Sequence, residues 1–570
     1  MAPAERTATE AEIAYFTMEV ALRDDLPTYS GGLGVLAGDY LKSAADAGAP
    51  MVAVTLLHRQ GYLRQAIDEA GAQVEEVVTW RPEDLLELLP ARVTVRVSGR
   101  SVLVAAWRFA VTGATGASVD VYFLDTDLPG NQTADRRLTG RLYGGDRAYR
   151  LSQEAVLGLG GVAMLRELGY DGLRTFHMNE GHSSLLTLAL LEEEGDEGAH
   201  PVHPVPARYV EAVRARCVFT THTPVPAGHD RFDAGLVNEV LGQERTQLLE
   251  ELGCLTDGEL NMSWLGMRMS KVSNAVSVRH REVAQAMFPD VPMKSVTNGV
   301  HVATWVSPPF REVFERHVPG WQSDNDLLRY VGQIELAEIA EAHEIAKRAL
   351  LDEIARRTDR KLDPTVLTIG SARRVTPYKQ PTLIFSDLER LAQAAATIGP
   401  VQIVCAGKAH PQDFDGKELV TELVRASSLL RGVVEAVFLE DYDLTLGATI
   451  CAGSDIWLNT PLKPLEASGT SGMKAALNGV PSLSVLDGWW LEGCVEGVTG
   501  WAIGNGRADG DEPTAGELYD KLEHAVMPLY YGQPGSMVEV RRNAIALNAS
   551  FFNTERMLRE YRSTVYAASV

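Results

Sequence analysis

Apolar residues along this chain form short runs that alternate with longer stretches of helical periodicity, a pattern typical of parallel α/β units. Residues 51–57 read MVAVTLL and predict a buried strand. Three β-rich runs separated by Gly-containing turns predict a local antiparallel meander: residues 92–97, 101–109 and 118–124. Three later runs predict a return to parallel strands: residues 174–178, 216–220 and 294–297.

A domain boundary is predicted just after Trp305, because Ser307, Pro308 and Pro309 should break regular structure. Beyond it, residues 334–357 predict a long helix. Five further strand-like runs have the spacing of a second doubly wound unit: residues 366–369, 401–405, 433–439, 455–458 and 482–486. The sequence therefore predicts an α/β protein with domains at 1–305 and 306–549, and a last helix, about 550–570, that packs back on the first domain.

Composition narrows the choice of partner. The 570 residues carry 53 Lys and Arg against 76 Asp and Glu, a net charge of −23, which disfavours nucleic acid and anionic membranes as partners. The five cysteines are odd in number and lack metal-ligand spacing, which indicates a reducing compartment without disulfides or structural zinc. With no apolar run near the roughly 20 residues of a membrane helix, a soluble, cytoplasmic protein is expected.

A glycine-rich segment, YSGGLGVLAGD at residues 29–39, opens a helical stretch. Gly31, Gly32 and Gly34 would let backbone N–H groups approach an anion at a helix start. The glycines also match a dinucleotide fingerprint, but Asp24, Asp25 and Pro27 stand where its strand belongs. An ordinary tight strand-to-helix turn is the alternative interpretation.

Two further segments suggest phosphate chemistry. GSARRVTPYK at residues 370–379 gathers three cations, Arg373, Arg374 and Lys379, at the carboxyl end of a predicted strand, where open α/β sheets bind ligands. EASGTSGMKAALNG at residues 466–479 places Lys474 in a predicted first helical turn, where the dipole should lower its pKa and suit it for Schiff-base chemistry. A solvated basic loop and an exposed helix lysine are the alternatives.

Two histidine segments end predicted strands, FHMNEGHS at residues 176–183 and FTTHTPVPAGHD at residues 219–230. Their four histidines fit no common zinc spacing, so hydroxyl recognition of a polar ligand is the preferred interpretation, and structural hydrogen bonding the alternative: His177, His182, His222 and His229. TNGVH at residues 297–301 adds Asn298 for the same task. Five aromatic residues complete the composition expected of a sugar cleft, unless they are core: Trp305, Tyr378, Tyr442, Trp489 and Trp490.

Together these segments, with AGKAHP at residues 406–411, resemble the α-glucan (glycogen/maltodextrin) phosphorylases in their shorter bacterial and archaeal form. The matching motifs run in order from about residue 14 to residue 504. The resemblance implies a glycosyltransferase-B fold, with two doubly wound Rossmann-like domains and the active site in the cleft between them. It implies a glycosyltransferase that uses inorganic phosphate to release terminal α-1,4 glucosyl units of a glucan or maltodextrin as glucose 1-phosphate, with retention. Such relatives are often dimeric.

The resemblance also implies pyridoxal 5′-phosphate bound as a Schiff base on Lys474, with the cofactor phosphate acting as acid/base partner to inorganic phosphate. Carried over motif by motif, the residues expected to hold the cofactor phosphate are Arg373, Lys379, Gly469 and Thr470. Tyr442 and Trp305 are expected to pack around the cofactor. Arg374, Lys379, Lys474 and His222 are the residues expected to take part in catalysis.

For the substrates, the resemblance implies that Arg374 holds phosphate with the backbone N–H groups of Gly31 and Gly32. The sugar 3- and 4-hydroxyl groups are expected to contact Glu466, Ser468 and Gly469. His222 and Asn298 are expected to contact the 6-hydroxyl group, and the His222 backbone to lie near the anomeric centre.

Some positions depart from the short-form pattern: Gln380 where Arg is usual, Leu462 in place of an Arg, Ala21 near the expected cofactor ring, and the segment 491–500. They leave open an enzyme that transfers another sugar or a cyclitol, and a non-catalytic glucan- or cofactor-binding relative. The intact EASGTSGMK motif argues against a nucleotide-sugar enzyme. Retention of Arg374, Lys379, Lys474 and His222 argues against a non-catalytic protein.

Overall fold

The computed structural model of the protein describes residues 11–195, 204–504 and 514–567. Within these ranges, the strands are β1 (Ile13–Thr17), β2 (Met51–Leu56), β3 (Arg64–Ile67), β4 (Gln73–Glu76), β5 (Glu87–Val97), β6 (Arg100–Thr112), β7 (Ser118–Asp125), β8 (Thr175–Asn179), β9 (Cys217–Thr220), β10 (Arg231–Asp233), β11 (Leu255–Thr256), β12 (Glu259–Asn261), β13 (Val272–Ala275), β14 (Met293–Ser295), β15 (Leu367–Ala372), β16 (Val401–Ala406), β17 (Val434–Leu439), β18 (Ile456–Asn459), β19 (Ser482–Val485) and β20 (Gly500–Ile503).

The α-helices of the same ranges are α1 (Gly32–Asp46), α2 (Thr133–Arg136), α3 (Arg147–Ala155), α4 (Gly161–Glu167), α5 (Leu186–Glu194), α6 (Ala207–Arg216), α7 (Ala234–Leu241), α8 (Gln243–Glu251), α9 (Met262–Arg268), α10 (Val278–Met287), α11 (Val302–Trp305), α12 (Pro308–His317), α13 (Leu336–Arg357), α14 (Leu388–Thr397), α15 (Phe414–Leu429), α16 (Leu444–Gly453), α17 (Ser471–Ala476), α18 (Trp490–Gly493), α19 (Ala515–Lys521), α20 (Met527–Gly532), α21 (Pro534–Asn543) and α22 (Thr554–Glu560). No helix in the described part of the chain is both long and apolar enough to span a bilayer.

Two large sheets dominate the described structure. The first has nine strands in the order β14-β13-β9-β8-β1-β2-β7-β6-β5, parallel from β14 to β7 and antiparallel at β6 and β5. The second has six parallel strands in the order β17-β16-β15-β18-β19-β20. Two smaller sheets, β10-β12-β11 and the hairpin β3-β4, complete the set that these residues form.

The central strands are apolar at successive positions because both faces of each large sheet are covered. In β1, Ala14 and Phe16 join one hydrophobic cluster, and Ile13 and Tyr15 join the cluster on the opposite face. Side chains alternate between faces along a strand, so a strand buried on both sides must be apolar throughout. The same burial on both faces explains the apolar runs from which β2 and β16 were predicted.

The predicted antiparallel meander is confirmed as β5, β6 and β7, and every later run that was predicted to be a strand overlaps one. The long helix is confirmed as α13. Sequence reasoning missed β1, β13 and β20 in the large sheets. It also placed no strand before the glycine-rich helix, whereas β1 precedes α1 and is separated from it by a long loop.

Helix α11 ends at Trp305, and the interruption that follows is only two residues long, Val306 and Ser307. Pro308 and Pro309 occupy the first positions of α12, which runs on to His317. Proline is tolerated there because its fixed φ suits a helix and its missing N–H has no intrahelical acceptor at the first turn. The prolines therefore begin a new helix after this short interruption and do not open a longer irregular segment.

The two large sheets are linked through side-chain contacts. In the β3-β4 hairpin, Gln65 donates to the Gly407 carbonyl and Gln73 to the Ala409 carbonyl, both at 2.9 Å. Helix α22 packs on α1, and the following π-helical turn, Tyr561–Tyr566, brings the Tyr566 hydroxyl to 2.7 Å from that of Tyr40.

Candidate active site

A cavity of about 550 Å³ lies where the carboxyl ends of parallel strands from both large sheets converge. Residues just beyond β1, β8 and β9 meet residues just beyond β15 and β18 around it. Ligands of open α/β sheets bind at these strand ends. Fourteen of the residues expected at the site from the sequence line the cavity: Gly31, Gly32, His222, Asn298, Trp305, Arg373, Arg374, Lys379, Tyr442, Glu466, Ser468, Gly469, Thr470 and Lys474.

Lys474 is a buried amine on the short helix α17. Its Nζ lies 3.7 Å from the centroid of the Trp305 ring, a cation–π arrangement, and the Trp305 indole N–H donates to Asp39 Oδ2 at 2.7 Å. Burial lowers the pKa of Lys474, partly opposed by Asp39. The pKa of Lys474 is therefore lowered, as expected, but for a different reason. Lys474 lies in the last turn of α17, so desolvation and not the helix dipole disfavours its charged form.

Arg373 and Arg374 follow β15 directly. The Arg373 guanidinium reaches Asn459 Oδ1 and, at 3.1 Å, Thr460 Oγ1, while its buried Nε has no partner among the described residues. Burial lowers the pKa of Arg373 to about 10, so it stays protonated at neutral pH. Arg374 is exposed to the cavity, and its side chain makes no hydrogen bond or ion pair within the described structure. A cationic fork facing a cavity without a protein partner suits an anionic ligand.

Lys379 and Glu466 form an ion pair on the cavity wall, with Nζ against Oε2. From the sequence, Lys379 was expected to bind the cofactor phosphate and Glu466 to bind the sugar. The contact between these two side chains was not predicted. Asp487, behind them, accepts the Glu466 backbone N–H at 2.9 Å, and burial raises the pKa of Asp487 to about 6. The Ser468 hydroxyl is buried without a partner among the described residues, so it remains open to a ligand.

The glycine-rich turn holds a carboxylate that sequence reasoning missed. Glu19, beyond β1, accepts the Ser30 N–H at 2.6 Å, the Gly31 N–H at 3.3 Å and the Tyr143 hydroxyl at 2.8 Å. The Gly31 N–H therefore donates to a carboxylate of the protein itself in this structure. Gly32 has no such bond, and a Cβ on either Gly31 or Gly32 would meet nothing within 4 Å, so this face of the turn is open to the cavity.

His222 and Asn298 lie on the cavity wall, at the ends of β9 and after β14. His222 Nε2 is 2.7 Å from Asn179 Oδ1, and burial lowers the pKa of His222 to about 3, so the ring is neutral at physiological pH. The His222 backbone N–H donates to Glu180 Oε2 at 2.7 Å. The amide oxygen of Asn298 is buried and has no partner among the described residues.

Some residues predicted for the site lie elsewhere. Trp489 and Trp490 are 2% and 1% exposed and pack in a hydrophobic cluster, so they are core and not a sugar platform. His177 bonds Tyr566 and Thr220 inside the protein, and His229 bonds Ser263. For these two histidines the structural alternative is correct.

The cavity also contains polar residues that sequence reasoning did not select: Glu19, Tyr143, Arg150, Glu180 and Asp230. Glu180 and Asp230 stand inside the histidine segments and could have been found there, because both follow predicted strands. Glu19 follows β1, a strand that was not predicted. Tyr143 and Arg150 lie in and after a loop without any recognisable motif.

The residues present fit pyridoxal 5′-phosphate. An aldehyde cofactor needs an amine that can lose its proton, and Lys474 is buried with a lowered pKa. Its phosphate needs cationic and backbone donors, and Arg373 has an unpartnered Nε on the same wall as Gly469 and Thr470. Arg374 remains as a separate cation for a second anion.

Fold and cavity together define an α/β protein with a polar cavity, lined by several cations, at converging strand ends. The carbohydrate phosphorylase family model matches residues 212–496. The chain is 36% identical to a maltodextrin phosphorylase from Thermococcus litoralis, over 98% of this chain and 71% of that protein. It is 37% identical to a glycogen phosphorylase from Mycobacterium tuberculosis (97% and 70%) and 34% identical to one from Aquifex aeolicus (97% and 86%). The chain belongs to the carbohydrate phosphorylase family.

Proposed function

We propose that the protein is an α-glucan phosphorylase that uses pyridoxal 5′-phosphate to transfer terminal α-1,4 glucosyl units from a glucan or maltodextrin to inorganic phosphate, with retention. The observation that carries the proposal is the pairing, in one cavity, of the buried amine of Lys474 with the unpartnered guanidinium of Arg374. An enzyme that handles a cofactor phosphate and a substrate phosphate together needs both. Family membership and the names of the relatives support the same reaction.

The cofactor would be held by Lys474, with its phosphate at Arg373, Gly469 and Thr470, and with Trp305 and Tyr442 beside the ring. Bound there, it supplies a phosphate group that can exchange a proton with substrate phosphate. Lys379 is placed to serve the same group once a phosphate competes with Glu466 for its ammonium. Two neighbouring phosphates repel each other, so the cationic side chains around them are essential to binding.

Arg374 would bind inorganic phosphate, with the open face of the Gly31–Gly32 turn opposite. Because the pKa of His222 is about 3, this histidine would act as a neutral hydrogen-bonding group toward the sugar and not as a general acid. Asn298 and Ser468 have free buried polar atoms for sugar hydroxyl groups, and Glu466 lies beside Ser468 on the same wall. These contacts would hold the terminal glucosyl unit while its bond to the chain exchanges for one to phosphate.

We further propose that the architecture is of the glycosyltransferase-B type, with domains at 1–305 and 306–549 and the site between them. The two large sheets, each with its own hydrophobic clusters, support this division. Residues 550–567 would then belong structurally to the first domain, as the contacts of α22 with α1 suggest.

The test has two arms. Borohydride reduction of cofactor-loaded protein followed by peptide mapping should place the modification on Lys474, and glucose 1-phosphate should form from maltodextrin and phosphate. Lys474→Ala should abolish both, whereas Lys361→Ala, an exposed lysine, should change neither. A cofactor found on another lysine would refute the assigned site. Bound cofactor without glucose 1-phosphate in either direction would instead favour transfer of another sugar or cyclitol.

A further inference from the structure

Asn298 lies in a segment that we call the Asn298 loop, residues 297–301, between β14 and α11. Its side chain is on the cavity wall and only 3% exposed, and its amide oxygen is unpartnered within the described structure. A short loop has few hydrogen bonds of its own, so the position of this amide depends on what holds the loop backbone.

Arg556 of α22 holds that backbone. Its Nη1 donates to the Thr297 carbonyl at 2.7 Å and its Nη2 to the Asn298 carbonyl at 3.0 Å, while its Nε donates to the Phe551 carbonyl at 2.9 Å. The side chain is almost fully buried, at 7% exposed. The planar guanidinium therefore bonds two successive carbonyls at once with different nitrogens, which a single lysine ammonium could not do in the same geometry.

The start of α22 also lies against the loop backbone. The Val300 N–H donates to the Phe552 carbonyl at 3.2 Å, and the Thr554 N–H donates to the Val300 carbonyl at 3.0 Å. A Cβ on Gly299 would lie 2.2 Å from the carbonyl carbon of Asn553, so only glycine permits this approach. The loop and the helix start are therefore packed backbone to backbone.

On the other side, Glu492 of α18 accepts the Thr297 hydroxyl at 2.7 Å and the Val278 N–H at 3.0 Å. The Asn298 loop thus lies between a buried guanidinium from α22 and a carboxylate from α18. Neither residue is on the cavity wall, so neither touches a ligand there.

We propose that Arg556 is a positioning residue, which sets the orientation of the Asn298 amide toward the sugar by fixing the carbonyls of residues 297 and 298. This rests on the proposed function, in which Asn298 binds a sugar hydroxyl group. A hydrogen-bonding amide selects its ligand only if its direction is fixed, and small displacements of a binding group weaken turnover strongly. The C-terminal helix is then part of the substrate site although it contributes no residue to the cavity wall.

The test is a double-mutant cycle between Arg556→Met and Asn298→Ala, with Arg556→Lys as a milder variant and Arg562→Met, exposed just after α22, as the matched control. Each protein is assayed for glucose 1-phosphate formation, with separate KM values for maltodextrin and phosphate, and for maltoheptaose binding by calorimetry. Thermal unfolding is followed in parallel. Arg556→Lys, which keeps one donor, tests the role even if the Met variant does not fold.

We expect Arg556→Met to raise the maltodextrin KM and the maltoheptaose Kd about tenfold, the worth of one hydrogen bond, and Arg556→Lys to raise both by a smaller factor, with the phosphate KM unchanged in each. Adding either change to Asn298→Ala should cause no further loss. Fully additive losses, or equal rises in both KM values, would overturn the inference while leaving the proposed function intact. A wild-type protein that forms no glucose 1-phosphate would overturn the proposed function and, with it, this inference.

Discussion

Asp455→Asn tests how strongly a buried ion cluster stabilises the second large sheet. Asp455 precedes β18, and its carboxylate accepts from His343 Nε2 at 2.9 Å, Lys347 Nζ at 2.6 Å, Arg541 Nη2 at 2.6 Å and the Thr368 N–H at 2.8 Å. The Lys347 and Arg541 side chains are each 4% exposed. Replacing the carboxylate by an amide leaves two buried cations without their counter-charge.

Removing one partner of a buried ion pair costs about 3–5 kcal/mol. At about 2–4 °C per kcal/mol for a domain of this size, the expected fall in Tm is about 6–20 °C. Burial opposes ionisation of Asp455, but Lys347 and the other donors outweigh it and hold the pKa of Asp455 well below its usual range. The carboxylate therefore contributes its full stabilisation above its unfolded-state pKa of about 3.9, and this contribution declines progressively as the pH falls from there and is gone once the pH has passed through the lower folded-state pKa.

Urea unfolding at pH 7 and at pH 5 should show the same deficit for Asp455→Asn relative to wild type. Asp415→Asn, an exposed aspartate on α15, is the control and should stay within about 0.5 kcal/mol. Because Arg541 also donates to the Gly479 carbonyl, just beyond α17 and Lys474, the variant should retain cofactor less well. A deficit below about 1 kcal/mol would refute the reasoning, since it would mean that desolvation cancels the attraction in this cluster.

Three further predictions concern the cavity. Arg374→Met should raise the phosphate KM about 10–150-fold, the worth of a charge-assisted hydrogen bond. The Tm should stay unchanged because the Arg374 side chain has no partner in the described structure. An unchanged KM would mean that phosphate binds elsewhere. Burial raises the pKa of Asp487 to about 6, so the folded state binds this proton more tightly than the unfolded state does. The free energy of unfolding should therefore fall by about 2–3 kcal/mol as the pH rises from 4 to 6. Urea unfolding of Asp487→Asn, measured over the same pH range, should not show that fall. Trp305→Phe removes the hydrogen-bond donor to the buried Asp39 and should lower the free energy of unfolding in urea by about 1–3 kcal/mol. If the free energy of unfolding does not change, this hydrogen bond does not stabilise the fold.

The strands that could be predicted are those whose apolar runs reflect burial on both faces, such as β2 and β16. Among the missed strands, β13 is buried but polar, whereas β1 is apolar and buried throughout but was not assigned. In β13, Ser273 and Asn274 are 3% and 0% exposed, and Asn274 bonds the Tyr561 hydroxyl from the distant C-terminal segment at 3.0 Å. A hydropathy pattern cannot reveal a buried polar network whose partners lie hundreds of residues away.

Many residues that line the cavity could be selected from the sequence because they lie in short motifs directly after strands, and the topology brings such strand ends together. The hydrogen bonds and ion pairs that these residues make with other parts of the protein could not be predicted. The ion pair of Lys379 with Glu466 joins residues 87 positions apart, and Glu19 reaches the glycine-rich turn from the end of an unpredicted strand. Motifs identify which residue types meet a ligand, whereas their protein partners follow from tertiary packing alone.

The contact of Arg556 with the Asn298 loop has a consequence for the order of folding. Its hydrogen bond to the Thr297 carbonyl closes a separation of 259 residues, so it forms only after the intervening chain has collapsed. Contacts of such long range are slow to form, because a large loss of chain entropy precedes them. During refolding, secondary structure should therefore form first. The ability to bind the sugar should be the last property that the chain recovers.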